Sequence, residues 1–425
     1  MKAAASGDDT REFPQCPVFR GRPYDPLMPD VACDPDPWLS LARAQQPVFY
    51  LADHDVWCVT RYADIMEVLR DAATYSSHYA NRFRPITSPA LREVFPNGHP
   101  GLHSMLLKDP PEHSRIRRLA NKAFTPRMVA AMEPSIRQCC HELVDSFAED
   151  GRCELVSQYS SELTVRTMMD ISGAPRTLNE EFARWGQDYF ALTAGAPELT
   201  ERRELELAER ARRMTAWLSD CVDARRRQPG DDFISALLTA TTDEGDPALT
   251  YDEVVGVLNS MMVAGVETTA ILIPTMVREL LARPELGRQA LDDPAVLRRV
   301  VEEGIRIHAP ARGVRRTTTR EVTLGGVDIP AGSDIFLLYA SANFDDTVFP
   351  DPHRFDPDRH NVERHLSFGK GVHFCIGAHL ARMEAVHAIG VLFERLPGLR
   401  LAADDVEHWV PHMTLPRRTS LLVEW

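Results

Sequence analysis

The segment 249–285, LTYDEVVGVLNSMMVAGVETTAILIPTMVRELLARPE, most constrains what this chain can fold into. Thr250 and Glu253 have the spacing of a capping box, and apolar residues then recur at helical spacing, which predicts one helix about 50 Å long. Glu267 is the only charged residue between positions 254 and 277, a composition shared by membrane spans and buried core helices. A lone carboxylate is costly in a bilayer and no second span accompanies it, so we expect the core helix of a large domain.

The composition is that of a globular protein, since 44% of the 425 residues are hydrophobic and 26% are charged. No linker or low-complexity tract divides the chain, so we expect a single domain over 26–425, preceded by an extended arm over 1–25. The N-terminus lacks the apolar segment of a signal or anchor, which predicts a cytoplasmic protein with no membrane partner. The formal net charge of -14 argues against a nucleic-acid partner, and eight scattered cysteines disfavour disulfides.

Helical periodicity dominates the chain, and strand patterns are few and short. Residues 47–60 predict a hairpin, and residues 322–340 predict paired strands broken at Gly325-Gly326 and at 330–332. The pattern therefore predicts a mainly α fold with a minor β sheet. The predicted helical segments are 126–148, 157–172, 205–226, 250–282, 294–308 and 375–396.

The motif AGVETT, residues 264–269, places unusual residues in the middle of the long helix. Ala264 and Gly265 remove side-chain bulk, which lets a flat group lie close to the backbone. Glu267 and Thr268 supply a titratable group and a hydroxyl, a pair suited to proton delivery in a dry pocket. The alternative is a buried glutamate paired with an arginine and a threonine bonded to its own helix. Pro274 lacks an amide hydrogen and is expected to weaken or kink the helix.

A second helix, residues 294–308, begins with Asp293 as its cap and Pro294 in its first turn. Glu303 and Arg306 are three residues apart and lie on one face of it. Most such pairs are exposed and contribute little to stability, so this pair alone does not identify a site.

The segment HLSFGKGVHFCIGAHLARMEA, residues 365–385, places Cys375 between a glycine-containing loop and a helix. A buried core thiol, a zinc ligand and a nucleophile activated by His373 are three possible roles for this cysteine. None of them explains the glycines of Phe368-Gly369-x-Gly371. A thiolate ligand to heme iron explains more, because glycines permit a tight loop under a macrocycle and helix-start amides stabilise the sulfur.

Four motifs stand in the order and approximate spacing of the cytochrome P-450 superfamily: AGVETT, EGIR (303–306), FDPDR (355–359) and FGKGVHFCIG (368–377). From about residue 25 onward the chain resembles the soluble bacterial members of that superfamily. The resemblance implies the mainly α, triangular P-450 prism with heme b, iron protoporphyrin IX, between the helix of Thr268 and the helix after Cys375.

The resemblance also implies a role for each residue singled out above. Cys375 would be the axial iron ligand, and Glu267 and Thr268 would guide protons to the heme. A buried network that locks the proximal side would consist of Glu303, Arg306 and Arg359. The implied cofactor-binding residues are His113, Arg117, Ala264, Gly265, Arg316, Phe368, His373, Cys375 and Gly377.

The implied activity is that of an O2-dependent monooxygenase oxidising a small organic molecule in secondary metabolism or catabolism. No flavin or iron-sulfur motif is present, so electrons are expected from a separate ferredoxin and its reductase with NAD(P)H. A basic docking patch is expected, with a solvated face as the alternative. Its residues would be Arg115, Arg117, Arg118, Lys122 and Lys370.

Substrate-facing segments are expected at 79–105, 181–200, 309–314 and 408–416. Arg82, Arg84 and Arg92 are expected to be exposed to solvent, with contact to a carboxylate as the alternative. The same heme chemistry diverted to coupling, cyclisation or nitration is one alternative. A non-catalytic heme sensor or carrier is a more remote one, because a sensor does not need the Glu267-Thr268 pair.

Overall fold

The described residues of this computed structural model are Pro14, 16–78, 86, 88–96, 104–193, 197–242, 245–246 and 248–425; of Arg176 only the backbone is described. They form a mainly helical protein with small β sheets, as predicted. The α-helices are α1 Pro29–Cys33, α2 Asp36–Gln45, α3 Tyr62–Arg70, α4 Pro89–Val94, α5 Glu112–Ala123, α6 Pro126–Ala131, α7 Glu133–Asp145, α8 Ser161–Ser172, α9 Asn179–Ala191, α10 Glu201–Arg227, α11 Phe233–Thr239, α12 Tyr251–Leu281, α13 Pro284–Asp292, α14 Pro294–His308, α15 Tyr339–Ala342 and α16 Ala378–Arg395. The strands are β1 Val18–Phe19, β2 Arg22–Pro23, β3 Val48–Leu51, β4 Val56–Val59, β5 Tyr75–Ser76, β6 Arg152–Glu154, β7 Val314–Thr318, β8 Val322–Leu324, β9 Val327–Ile329, β10 Asp334–Leu337, β11 Arg400–Leu401, β12 Trp409–Val410, β13 Arg417–Arg418 and β14 Leu422–Glu424.

The predicted core helix is α12, and it begins with the predicted capping box. The Glu253 N–H donates to Thr250 Oγ1 at 3.3 Å, and the Thr250 N–H donates to Glu253 Oε2 at 2.8 Å. The helix continues through Pro274 as one assigned element. Among the described helices α12 alone is long and apolar enough to cross a bilayer, but 78% of its most apolar window is buried in the protein. It is therefore the core helix that the sequence predicts.

Helices α8, α9, α10, α14 and α16 pack around α12 and enclose the main apolar core. Gly304 of α14 permits one of these close approaches. A Cβ atom at this position would lie 1.8 Å from Met276 Sδ of α12, so any side chain at 304 requires the methionine to move. The glycine inside the EGIR motif thus fits α14 against α12.

The largest sheet has the strand order β3-β4-β10-β7-β5. Strands β3 and β4 form the predicted hairpin, with Val48 opposite Val59. The segment 322–340 divides between two sheets: β8 and β9 pair through the Gly325-Gly326 turn, whereas β10 pairs with β4 and β7. Strand β7 carries Arg316, opposite Ile335 of β10, and so connects this sheet to the site described below.

Two stretches differ from the pattern expected from the sequence. The segment 126–148 contains two helices, α6 and α7, because Pro134 lies in the first turn of α7 and cannot donate a helical hydrogen bond there. The described part of the expected N-terminal arm forms a short hairpin of β1 and β2, with Phe19 edge-on to Trp38 at 5.5 Å. Residues 1–13 lie outside the described part of the chain.

Candidate active site

Cys375 lies in a tight loop between a 3-10 turn, Gly371–His373, and the start of α16. The loop is closed by its own backbone, because the Cys375 N–H donates to the Phe368 carbonyl oxygen at 2.9 Å. Gly371 has a φ of +71°, and a Cβ atom there would lie 2.8 Å from the Leu69 carbonyl oxygen. Only glycine fits this position without strain, which explains its place before the cysteine.

The Cys375 sulfur lies where the start of α16 stabilises negative charge. Burial raises the pKa of the thiol, whereas the Gly377 N–H, Arg117 and Arg382 lower it. Apart from neighbouring residues of its own chain segment, a Cβ atom on Gly377 would meet Cys375 Sγ within 4 Å, at 3.9 Å. The absence of a side chain at position 377 therefore leaves the sulfur uncovered on that side.

The zinc and nucleophile alternatives for Cys375 gain no support from its surroundings. Within the described ranges, no group of three or more His, Cys, Asp or Glu side chains is arranged to hold a metal ion. His373 is engaged elsewhere: its Nε2 lies 2.9 Å from Ser77 Oγ, and its ring lies 4.0 Å from the ring of His113. It is not oriented as an activating base for the thiol.

Two arginines and two histidines from three elements lie together beside Cys375. His113 and Arg117 belong to α5, Arg316 belongs to β7, and His373 precedes the cysteine. Burial and then Arg117 lower the pKa of His113 to about 4, and burial and then Arg316 lower that of His373 to about 2. His113 Nδ1 is buried without a hydrogen-bond partner among the described residues. The cluster is thus cationic, and one of its polar atoms lacks a partner.

The face of α12 around Ala264 is open, although the helix is otherwise mostly buried. Ala264 is exposed and Thr268 is half-exposed, and the Thr268 hydroxyl donates to the Ala264 carbonyl oxygen at 2.8 Å. Gly265 differs from its expected role: a Cβ atom there would lie 2.5 Å from Met168 Sδ of α8. The space that this glycine leaves is filled by Met168, so Gly265 serves helix packing in the structure.

Glu267 lies on a neighbouring face of α12 and is only 6% exposed. Burial raises the pKa of its carboxyl group to about 7, opposed by Arg417 and reinforced by Asp188. Among the described residues no ion pair within 4 Å and no hydrogen bond to Thr268 involves it. A carboxyl group with this pKa exchanges protons near neutral pH.

Glu303, Arg306 and Arg359 form one buried network. Arg306 donates through Nε and Nη2 to the two Glu303 carboxylate oxygens at 2.8 and 2.7 Å, and neither side chain has exposed surface. Arg359 Nε donates to Glu303 Oε1 at 3.1 Å. Both arginines also donate to backbone carbonyls of the 343–354 segment. The alternative of a solvated surface pair does not hold for this structure.

Two further groups near the site were not found from the sequence. Arg382 stacks over the Phe368 ring at 4.4 Å and donates to both Glu302 carboxylate oxygens. The sequence feature that could have identified Arg382 is its position in α16, seven residues after Cys375. Glu384 is 1% exposed, and burial raises its pKa to about 8 despite hydrogen bonds with Thr167 and Thr269. No local sequence signal identified Glu384, because both partners lie on other helices.

Three of the four segments expected to face the substrate are in contact. The His412 ring accepts the Thr414 and Leu415 N–H groups at Nδ1, so Nε2 carries the hydrogen and donates to Thr193 Oγ1 at 3.1 Å. The Arg312 N–H donates to the Thr414 carbonyl oxygen at 2.8 Å. The turn at 412–415 thus connects the 309–314 segment to the end of α9.

The remaining segment, 79–105, is described only at Ile86, 88–96 and 104–105. Arg92 is exposed, as expected, whereas Arg82 and Arg84 lie outside the described residues.

The expected basic docking patch is smaller than its sequence suggests. Arg115 forms an ion pair with Glu253, and Arg118 forms a two-point pair with Asp246 at 2.8 and 2.9 Å. Arg117 lies near Cys375 rather than fully in solvent. Of the five expected residues, Arg117, Lys122 and Lys370 have no described carboxylate partner, and of these three Lys122 and Lys370 lie away from Cys375.

The residues present fit heme b. The cationic cluster, with its histidine nitrogen that lacks a partner, suits the two carboxylates of heme b. Hydrogen bonds to charged groups are stronger than those between neutral groups. The Cys375 thiol and the open Ala264 face of α12 would suit a flat macrocycle whose iron is held by sulfur.

Comparison with known proteins agrees with this geometry. The chain matches the Cytochrome P450 family over residues 45–397. It is 38% identical to the mycinamicin IV hydroxylase/epoxidase of Micromonospora griseorubida, over 87% of this chain and 90% of the relative. It is 35% identical to the 6-deoxyerythronolide B hydroxylase of Saccharopolyspora erythraea, over 85% and 88%. The solved structure of cytochrome P450 CYP109Q5 from Chondromyces apiculatus matches with a TM-score of 0.81 and 33% identity, over 94% of this chain and 97% of that one.

The family match covers most of the chain, and its members use heme b. The predictions of the superfamily, the prism fold, the cofactor and the class of reaction are confirmed by these similarities. The chain belongs to the cytochrome P450 family and is a heme-thiolate monooxygenase.

Proposed function

We propose that the Cys375 thiolate would hold the iron of heme b. The observation that carries this assignment is the Cys375 sulfur at the start of α16, uncovered at Gly377 and adjacent to the cationic cluster. Heme bound there supplies the activation of O2 and the oxidation of the substrate. The Gly377 N–H and the α16 terminus hold the sulfur in its anionic form.

The cationic cluster holds the heme carboxylates. Arg316 and Arg117 provide the charge, and His113 and His373 contribute ring N–H groups. Phe368, Ala264 and Gly377 would lie against the macrocycle when it is bound, and Gly265 acts indirectly by setting the distance between α8 and α12. These residues orient the cofactor between α12 and α16.

Glu267 and Thr268 move protons to the oxygen-binding side. Glu267 holds a proton near neutral pH because burial raises its pKa to about 7. The Thr268 hydroxyl, bonded to the Ala264 carbonyl oxygen at 2.8 Å, passes a proton on at the open face of α12. Glu303, Arg306 and Arg359 do not touch the reaction; they hold the 343–354 segment and thereby the loop before Cys375.

The substrate that we propose is a bacterial secondary metabolite of the mycinamicin or 6-deoxyerythronolide kind. Support comes from relatives named for oxidising such compounds at 38% and 35% identity over most of both chains. The end of α9, residues 309–314 and the turn at 412–415 form the walls that select it. Hydroxylation is the favoured outcome, since both relatives are named hydroxylases.

Electrons come from a ferredoxin and its NAD(P)H-dependent reductase, which dock near Lys122 and Lys370. The protein acts in the cytoplasm as one domain over residues 26–425. Two observations support this location. The apolar helix α12 is buried within the protein rather than available to a membrane, and the net charge of -14 disfavours binding to nucleic acid.

Spectroscopy tests the cofactor assignment. The reduced protein under carbon monoxide is expected to show the strongly red-shifted Soret band of thiolate ligation, and Cys375→His is expected to lose it while retaining heme. A variant that keeps the band contradicts the assignment of Cys375. Titration with mycinamicin-type and 6-deoxyerythronolide-type compounds is expected to shift the ferric Soret band, whereas a sensor or carrier would bind without NAD(P)H-driven product formation.

A further inference from the structure

A pocket of about 420 Å³ lies on the side of α12 that carries Glu267, between α8, α9 and β13. Its lining runs from solvent to the buried core of the protein. The exposed lining residues are Ser157, Glu180, Arg184, Gln187 and Thr419, and the buried ones are Glu267, Ala270 and Pro274. The pocket therefore connects the surface with the buried carboxyl group.

Gly186 makes room for that carboxyl group on α9. A Cβ atom on Gly186 would lie 3.0 Å from Glu267 Cγ and 3.1 Å from Glu267 Oε1. The glutamate side chain thus lies against the backbone of α9, where any larger residue would push it. Thr268, one residue later, is about 100° further around α12 and faces the heme side.

Pro274 adds a hydrogen-bond acceptor to the same pocket. Because proline has no amide hydrogen, the Ala270 carbonyl oxygen lacks the donor that an ordinary residue at 274 would supply. Ala270 and Pro274 both line the pocket, one and two turns beyond Glu267. A buried water needs two to four polar partners, and a carbonyl oxygen near a carboxyl group meets part of that need.

Arg417 of β13 is the positively charged residue that acts on Glu267, because the other charged residues around the pocket are paired with one another. Asp188 is paired with Arg210, Glu180 with Arg184, and Arg418 with Asp405. Glu162 of α8 accepts from Asn179 and Arg166. In the described part of the chain Arg417 has no carboxylate within 4 Å, and it lowers the pKa of Glu267 against the effect of burial.

We propose that this pocket is the proton inlet of Glu267, and that Arg417 and Pro274 are positioning residues that tune the carboxyl group and hold the water beside it. Each proton that Glu267 passes toward Thr268 is replaced by one from pocket water, which takes a proton from solvent in turn. The inference rests on the proposed function, since it requires Glu267 to carry protons.

Infrared titration of the heme-loaded protein tests the inlet without turnover. The carboxyl band that disappears in Glu267→Gln identifies the group. Arg417→Gln is expected to raise its titration midpoint by about one pH unit or more, and Arg417→Lys is expected to restore it because the charge is kept. Pro274→Ala is expected to slow deuterium exchange at this band at least twofold. An unchanged midpoint and unchanged exchange overturn the proposal.

Peroxide release during turnover separates failure of the inlet from failure of the proton relay. Arg417→Gln and Pro274→Ala are each expected to raise the peroxide released per NAD(P)H at least twofold, with no further rise in a Glu267→Gln background. Arg400→Gln and Pro284→Ala are the matched controls, because both lie outside the pocket. If peroxide release rises in Glu267→Gln but not in Arg417→Gln or Pro274→Ala, the inlet proposal alone is overturned. If peroxide release does not rise in Glu267→Gln, the proposed function of Glu267 is overturned.

Discussion

The rings of His113 and His373 lie 4.0 Å apart, with their planes tilted by 42°. Both pKa values are held low, at about 4 and about 2, so two neutral imidazoles lie beside the guanidinium groups of Arg117 and Arg316. Asp109, the nearby acid, already accepts from the hydroxyl of Ser76 and the N–H of Ser77. The positive charge of the cluster is therefore available to the cofactor.

Replacement of Arg316 by Gln is expected to speed heme loss by about tenfold or more, because a hydrogen bond to a charged group contributes roughly 1.5–3 kcal/mol. The measurement is the rate of heme transfer to apomyoglobin at pH 7. Arg320→Gln is the control, since Arg320 is exposed just beyond the same strand. Equal rates for the two variants would remove Arg316 from the cofactor site.

Replacement of Glu303 by Gln is expected to lower the free energy of unfolding by about 3–5 kcal/mol, because it leaves Arg306 buried without its charge partner. Urea unfolding monitored by circular dichroism measures the loss. The control Asp358→Asn breaks an exposed ion pair, in which the side chain of Asp358 is 80% exposed and that of Arg299 is 46% exposed. This substitution is expected to lower the free energy of unfolding by less than about 1 kcal/mol. Similar losses in the two variants would contradict the burial argument.

Replacement of Gly265 by Ala is expected to cost about 1–3 kcal/mol of stability, because its Cβ atom would overlap Met168 Sδ. Shortening the neighbour in the double variant Gly265→Ala/Met168→Ala is expected to recover part of that cost beyond the effect of Met168→Ala alone. Thermal unfolding of all three variants measures the coupling. A loss of heme content that the second substitution does not relieve would instead assign Gly265 to direct cofactor contact.

Stability is expected to fall as pH rises through the range set by Glu384. Its pKa is about 8 when folded and 4.5 in the reference state, so the folded protein binds a proton that the unfolded chain releases. The contribution is fully present below about pH 4.5 and is lost toward pH 8, on the order of a few kcal/mol. Urea unfolding at pH 5.5 and pH 8.0 is expected to show a smaller pH effect in Glu384→Gln than in the wild type. Identical slopes would show that Glu384 is ionised in the folded protein.

Reversal of Lys122 to Glu is expected to slow reduction by an acidic ferredoxin several-fold at low salt, and less at high salt, because steering weakens with ionic strength. Stopped-flow reduction measures the rate. Arg115→Glu is unsuitable alone, since it also breaks the pair with Glu253 at the start of α12. Arg213→Glu, exposed on α10, is the control, and equal rates for Lys122→Glu and this control would exclude Lys122 from docking.

Local signals in the sequence predicted the elements that depend on neighbouring residues. The capping box of Thr250 and Glu253, the Asp293 cap and the helical face shared by Glu303 and Arg306 all lie within one turn, and the structure contains each of them. The mainly α class followed from the same periodicity.

Features that depend on distant residues were not predictable in this way. The docking patch was overestimated because Arg115 and Arg118 find acids about 130 positions later. Gly265 was assigned to the cofactor because nothing near it in the chain indicates Met168, and β10 was expected to pair locally although its partners are β4 and β7. In each case tertiary packing selected a partner that spacing alone does not indicate.

The pairing of β4 with β10 has a consequence for biosynthesis. Trp57 pairs with Ile335, 278 positions later in the chain. At about 5–20 residues per second, a ribosome needs roughly 14–56 s to supply β10 after β4 has emerged. During that interval the apolar β3–β4 hairpin has an open edge that another nascent chain can join. We therefore expect the yield of correctly folded protein to depend in part on how well chaperones cover this hairpin while translation continues.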